Sequence, residues 1–279
     1  MIDTHTHLNF QAFDNDWPEV VDHAVKAGVT KMIVVGTDLE SSQKAVDMAN
    51  SHPALYAAVG IHPHHARQIR NQKSEIRNLI IQLENLAQHP KVIAIGECGL
   101  DYHRYQNTKY QILNTEKEWS QIKSLQQELL QTQLSLAQSL DKPVILHSRE
   151  ASEDILHTLR TTPYVLRTNS GVFHCFDGSH QYLKKIIEAG FYVSFTGNIT
   201  YNSDRATLST LVPSNRLLLE TDCPFMLPEP LRSKNYRQPL RSEPQDVKII
   251  AQSHADMRKI QLDEVVKSTT QNALRLFHF

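Results

Sequence analysis

A short apolar run followed by an amphipathic stretch occurs eight times along these 279 residues, and that alternation constrains the fold more than any other feature. Runs rich in Val and Ile and bounded by Gly, Pro or polar residues read as strands buried on both faces. In chain order they are residues 1–5, K-M-I-V-V-G, A-L-Y-A-A-V-G-I-H, K-V-I-A-I-G-E-C-G-L-D, P-V-I-L-H, S-G-V-F-H, G-F-Y-V-S-F and R-L-L-L-E-T-D. Between them the spacing predicts helices near 16–27, 41–51, 74–88, 116–140, 150–161, 180–189 and 203–211, with two more near 244–257 and 262–277. Pro18 in the first turn and Gly28 past the end bracket the first helix. Leu125, Leu129, Leu136 and Leu140 supply most of the apolar stripe of the long Gln- and Leu-rich one. Eight such units in succession are the signature of a (β/α)8 TIM-like barrel. A doubly wound open sheet is the competitor, but no G-x-G-x-x-G follows the first strand. No linker interrupts the pattern, so residues 1–279 are expected to form one domain.

Charge narrows the partners. Lys and Arg total 29 against 30 Asp and Glu, so no global positive field attracts nucleic acid and any such partner needs a local patch. The opening M-I-D-T-H-T-H shows neither the basic nor the apolar region of a secretory signal, and no window is long enough to span a membrane. Three cysteines (Cys98, Cys175 and Cys223) without C-x-x-C spacing suit a reducing cytoplasm.

Fifteen histidines are many for this length, and their positions carry the information. His5 and His7 end the first strand, His62 the third, His147 the fifth and His174 the sixth; Glu97 follows the fourth and Asp222 the eighth. In a (β/α)8 barrel all these points fall on the C-terminal rim, where such enzymes keep their active sites. Taken singly, each polar residue has a bland alternative, such as a core histidine or a structural salt bridge to Glu97. As a set they are what a metal site requires. In H-T-H the i, i+2 spacing turns both rings to one side of an extended segment, able to chelate one ion. His and carboxylate donors suit Zn²⁺, Mn²⁺ or Mg²⁺, and Glu97 is placed to bridge two ions. Each cysteine directly follows a candidate ligand, so strand alternation turns the thiols away into packing as small core residues.

The motifs I-D-T-H-T-H-L, G-I-H-P-H, I-G-E-C-G-L-D-Y, P-V-I-L-H-S-R-E-A, F-H-C-F-D-G, S-F-T-G-N-I and L-L-E-T-D-C-P-F, in this order, resemble the TatD family of metal-dependent deoxyribonucleases. The resemblance implies a somewhat distorted barrel and two divalent metal ions in a cytoplasmic enzyme. It also implies His5, His7, Glu97 and Asp222 on one ion, Glu97, His147 and His174 on the other, and His62 near the scissile phosphate. Segments 105–120 and 231–244 are longer than the family pattern, which bears on substrate range.

Two-metal phosphodiester hydrolysis fits: cations about 3.5–4 Å apart would clamp the phosphate and acidify a water. Asp222 is the candidate to take that water's proton, its alternative being a ligand only. Arg149 could hold a phosphate oxygen by paired hydrogen bonds or form a salt bridge at a helix start. The segment P-E-P-L-R-S-K-N-Y-R-Q-P-L-R-S-E-P, with four prolines, reads as an extended rim loop. Arg237, Arg241 and Tyr236 within it would track and stack on a strand, or lie on an ordinary solvated loop. The leading expectation is an exonuclease-like deoxyribonuclease acting on single-stranded or frayed DNA ends, with RNA or tRNA as further partners, as a monomer or weak homo-oligomer. A D-aminoacyl-tRNA deacylase and a non-catalytic metal-stabilised binding protein are the alternatives.

Overall fold

Eight parallel strands lie in sequence order around one sheet: β1 (Ile2–Thr6), β2 (Lys31–Val35), β3 (Leu55–Val59), β4 (Val92–Asp101), β5 (Val144–Arg149), β6 (Gly171–Phe173), β7 (Tyr192–Phe195) and β8 (Leu217–Leu219). The structure is a computed structural model in which residues 1–69, 72–104, 115–162, 170–235 and 239–279 are described. Backbone bonds tie the two ends of the sheet together at one rim, His7 N donating to Cys223 O at 2.8 Å and Asp222 N to His5 O at 3.0 Å. The sheet thereby closes into the expected barrel.

The helices are α1 (Trp17–Lys26), α2 (Leu39–Ser51), α3 (Gln72–Ala87), α4 (Glu116–Ser139), α5 (Ser152–Thr161), α6 (His180–Glu188), α7 (Ser203–Leu211), α8 (Leu231–Lys234), α9 (Val247–Arg258) and α10 (Leu262–Phe277). The short α8 corrects the expectation of a wholly extended segment there. Pro230 takes the position before its first residue and Asn235 ends it in the left-handed conformation, so the prolines bound a single turn rather than forbid one. None of these helices is long and apolar enough to cross a membrane.

Strand alternation divides the core in two. Met32 and Val34 face the helical layer, whereas Ile33 and Val35 join Ile93, Ile145, Val172, Tyr192 and Leu218 in a second cluster drawn from around the barrel. Ala273, Leu276 and Phe277 of α10 belong to that inner cluster and plug the end of the barrel where the strands begin. The other end is left to polar side chains.

Two glutamines of α4 fix that polar end. Gln126 and Gln133, 1% and 0% exposed, sit two helical turns apart on the buried face. Gln133 accepts from Ile61 N (2.7 Å) and donates to Ile61 O (3.1 Å), just before His62. Gln126 does the same at Asp101, accepting at 2.9 Å and donating at 3.0 Å. Each amide satisfies a backbone pair where β3 and β4 leave the sheet ladder.

Candidate active site

His5, His7, His62, Glu97, His147, His174 and Asp222 meet at the open end of the barrel, most of them on the floor of a cavity of about 550 Å³. Glu97 is central, and its two oxygens face different partners. Oε2 lies 3.6 Å from His5 Nε2 and 3.7 Å from His7 Nε2. Asp222 Oδ1 lies 3.7 Å and 3.5 Å from the same two nitrogens, which are 3.1 Å apart. On the other side, Oε1 is 2.9 Å from His147 Nδ1, 2.7 Å from His174 Nε2 and 3.4 Å from His62 Nε2.

These donors fit a divalent cation. Ligands about 2.1 Å from one ion lie roughly 3.0–3.5 Å from each other, whether octahedral or tetrahedral. The His5, His7 and Glu97 donors, with Asp222 beside them, lie 3.1–3.7 Å apart, at or slightly beyond that spacing. His7 Nδ1 donates to Val35 O (3.0 Å), which leaves its Nε2 lone pair aimed into the cluster. His62 is the other tautomer. Its Nδ1 accepts from His64 N (3.2 Å), so the neutral ring carries its proton on Nε2, facing the cavity as a donor rather than a ligand.

Electrostatics follow from burial and this crowding. Burial lowers His5 well below the ordinary imidazole value and also lowers His7, keeping both neutral and able to bind metal. Burial takes His62 down to about 3 despite the Glu97 charge. His147 and His174 go the other way: burial lowers both, but Glu97, with Asp101 beside the first and Glu220 beside the second, raises them overall. Burial, together with the nearby Glu97 and Glu220 charges, pushes Asp222 up to about 8. Three carboxylates this close prefer to shed a charge, and a cation among them would restore it.

The sequence matches the family described as TatD related DNase over residues 2–278. The chain belongs to the TatD family. Among its relatives, the "Uncharacterized metal-dependent hydrolase YabD" of Bacillus subtilis is 34% identical over 99% of this chain and 98% of its own length. The "3'-5' ssDNA/RNA exonuclease TatD" of Erwinia tasmaniensis is 33% identical over the full length of both. The crystal structure of YJJV, a TatD homolog from Escherichia coli, superposes with a TM-score of 0.83 at 30% identity, covering 100% of this chain and 98% of that one.

Around this TatD centre the structure corrects two sequence readings. Arg241 does not reach the cavity: 7% exposed, it donates to Asp16 Oδ2 (2.5 Å) and Ala12 O and stacks over Phe13 at 4.2 Å, so its charge is spent on the fold. Cys175 is not a core residue. Its φ of 42° breaks strand alternation, and the residue lines the cavity, whereas Cys98 and Cys223 are fully buried as expected. Arg149 lines the cavity, while Tyr236 and Arg237 lie outside the described residues, as do residues 105–114.

The sequence reading also missed groups that hold the ligands. Asp101 Oδ2 lies 3.3 Å from His147 Nε2 and 2.7 Å from His64 Nε2, orienting the ring whose other nitrogen faces Glu97. Buried Glu220 stands 3.6 Å from His174 Nδ1 and is held by Cys175 N (2.6 Å) and Ser194 Oγ (2.7 Å). Buried Asp3 accepts from Thr221 N (3.0 Å) and Thr221 Oγ1 (2.6 Å), bracing the two strand ends that carry His5 and Asp222.

Proposed function

We propose that the protein is a divalent-metal-dependent phosphodiesterase that removes nucleotides from the ends of single-stranded DNA or RNA, its 279 residues forming one hydrolase domain. One observation carries this reading: the two oxygens of Glu97 face two separate histidine sets, as a carboxylate bridging two cations requires. His5, His7, Glu97 and Asp222 would hold one ion, and Glu97, His147 and His174 the second. The donor set suits Mg²⁺, Mn²⁺ or Zn²⁺. When bound, the cations supply Lewis acidity to the phosphoryl group and the attacking water.

The chain's own groups do the rest. His62, neutral and donating from Nε2, can hold a non-bridging phosphate oxygen. Arg149 on the cavity wall can add a charged pair of donors. Asp222, at the edge of the cluster, can accept the proton of the attacking water. Family membership and relatives named as 3'-5' ssDNA/RNA exonucleases support the substrate and a direction from the 3' end.

The test uses DNA and RNA oligonucleotides, single- and double-stranded, labelled at either end, under Mg²⁺, Mn²⁺, Zn²⁺ or EDTA. Release of mononucleotides from the 3' end of single strands, abolished by EDTA, is expected. Intact strands in every metal, with free amino acid released from aminoacyl-tRNA, would replace the nuclease by an esterase.

A further inference from the structure

Beside the metal donors the rim carries an aromatic surface that the hydrolytic chemistry does not use. Phe10 stacks on His7, centroids 4.3 Å apart and planes 14° apart. Phe225 stands edge-on to both, 6.2 Å from Phe10 and 6.3 Å from His7. Phe225 is 51% exposed and Met226 37%. Next along the surface, the Tyr201 hydroxyl donates to Met226 Sδ at 3.7 Å, and Arg232 lies 4.3 Å over the Tyr201 ring. Isolated exposed apolar side chains are ordinary, but this is a contiguous patch bordering a buried polar cluster.

The surface is held firmly. Phe225 N donates to Asp222 O (2.9 Å), placing the ring one turn from a metal donor. Ser242 N donates to Pro224 O (3.0 Å), and Glu229 N to Thr200 Oγ1 (2.8 Å). Gly197 packs so tightly under Met226 O and Pro228 N that no Cβ fits there.

A nucleotide has an anionic part and a flat apolar one, and this rim offers a seat for each at adjoining positions. We infer that Phe225, backed by Phe10 and Met226, is a stacking shelf for the unpaired nucleobase next to the scissile phosphate. The inference rests on the nuclease reading above. Every base has a π-face, so the shelf accepts any of the four, and an unpaired end base is free to turn onto it whereas a paired one must first leave its partner. A single-stranded or frayed end is thereby favoured, with no base-edge contact needed.

The Mg²⁺-loaded enzyme is mixed in stopped flow with a single strand bearing 2-aminopurine at its terminal nucleotide, and kcat/KM is measured for base-bearing and abasic ends. Wild type should quench the fluorophore in the binding phase and prefer base-bearing ends by roughly 5- to 150-fold, the range of one base–aromatic stack. Phe225→Ala and Phe225→Leu should lose the quench and the preference together, and Phe225→Trp should keep both. Equal losses on base-bearing and abasic ends, or a quench that survives in Phe225→Ala, would overturn the shelf while leaving the nuclease intact. A wild-type enzyme that degrades no strand in any metal would overturn the nuclease and the shelf together.

Discussion

Glu97 concentrates the chemistry of the site in one side chain. Replacing it by Gln keeps the shape but removes the charge that offsets two cations. Glu97→Gln is expected to lose most bound metal and more than roughly 100-fold in kcat, beyond the 10–100-fold typical of partners that only orient a ligand. Elemental analysis alongside steady-state rates checks this, and added bicarbonate should change nothing because the carboxylate between the two histidine sets is a glutamate, which needs no carbon dioxide to form. Asp101→Asn belongs to the milder class, with metal affinity falling about 10- to 100-fold. Outside the metal cluster, His254 makes a different prediction. It is fully buried beside Phe195, neither ring nitrogen has a partner among the described residues, and burial next to Arg258 lowers its pKa to about 3. The unfolded chain protonates this ring near pH 6.5 while the folded one resists, so its contribution is present above 6.5 and lost as pH falls toward 3. The slope approaches about 1.4 kcal/mol per pH unit. His254→Leu should flatten the acid limb by about 2 kcal/mol between pH 6 and 4.5, measured by urea unfolding.

At the scale of elements, α4 is more than a wall of the barrel. Gln126→Leu would remove the amide that pairs the buried Asp101 N–H and C=O, at a cost of about 1–3 kcal/mol in unfolding free energy. It should also raise the metal requirement, because Asp101 orients His147. Gln133→Leu should cost a similar amount through Ile61, and chemical denaturation with a metal titration separates the two effects. The strands and helices were legible in the sequence because periodicity and punctuation by Gly and Pro are local signals. So was the convergence of His5, His7, Glu97, His147, His174 and Asp222, since strand ends in a barrel share a rim. The double clamps of Gln126 and Gln133 were not legible, because a glutamine's partner is set by tertiary packing. Arg241 misled for the same reason: its basic neighbours suggested solvent, while its partners, Ala12 and Asp16, lie more than 200 positions away. Cys175 misled because alternation stops where φ turns positive.

For the whole molecule, a ligand that binds only the folded state stabilises it by mass action. Free metal at about 100 times its dissociation constant adds about 2.7 kcal/mol, which for a chain of this size is a Tm rise of roughly 5–10 °C, reversed by EDTA. The rise should shrink as pH falls, since the raised pKa values of His147 and His174 mean that metal must displace protons from them. Calorimetry in buffers of different ionisation enthalpy should show net proton release on binding. The closure of the barrel has a temporal side as well. His5 and His7 lie on the first strand, yet Asp222, which shares their cluster, is made 215 positions after His7. The strand end that carries Asp222 pairs with β1 only once the chain has come full circle. A nascent polypeptide paused after residue 200 already holds five of the six proposed donors and still lacks the wall that completes the first set. The first donor set therefore cannot be completed until the eighth strand has been made and has paired with the first.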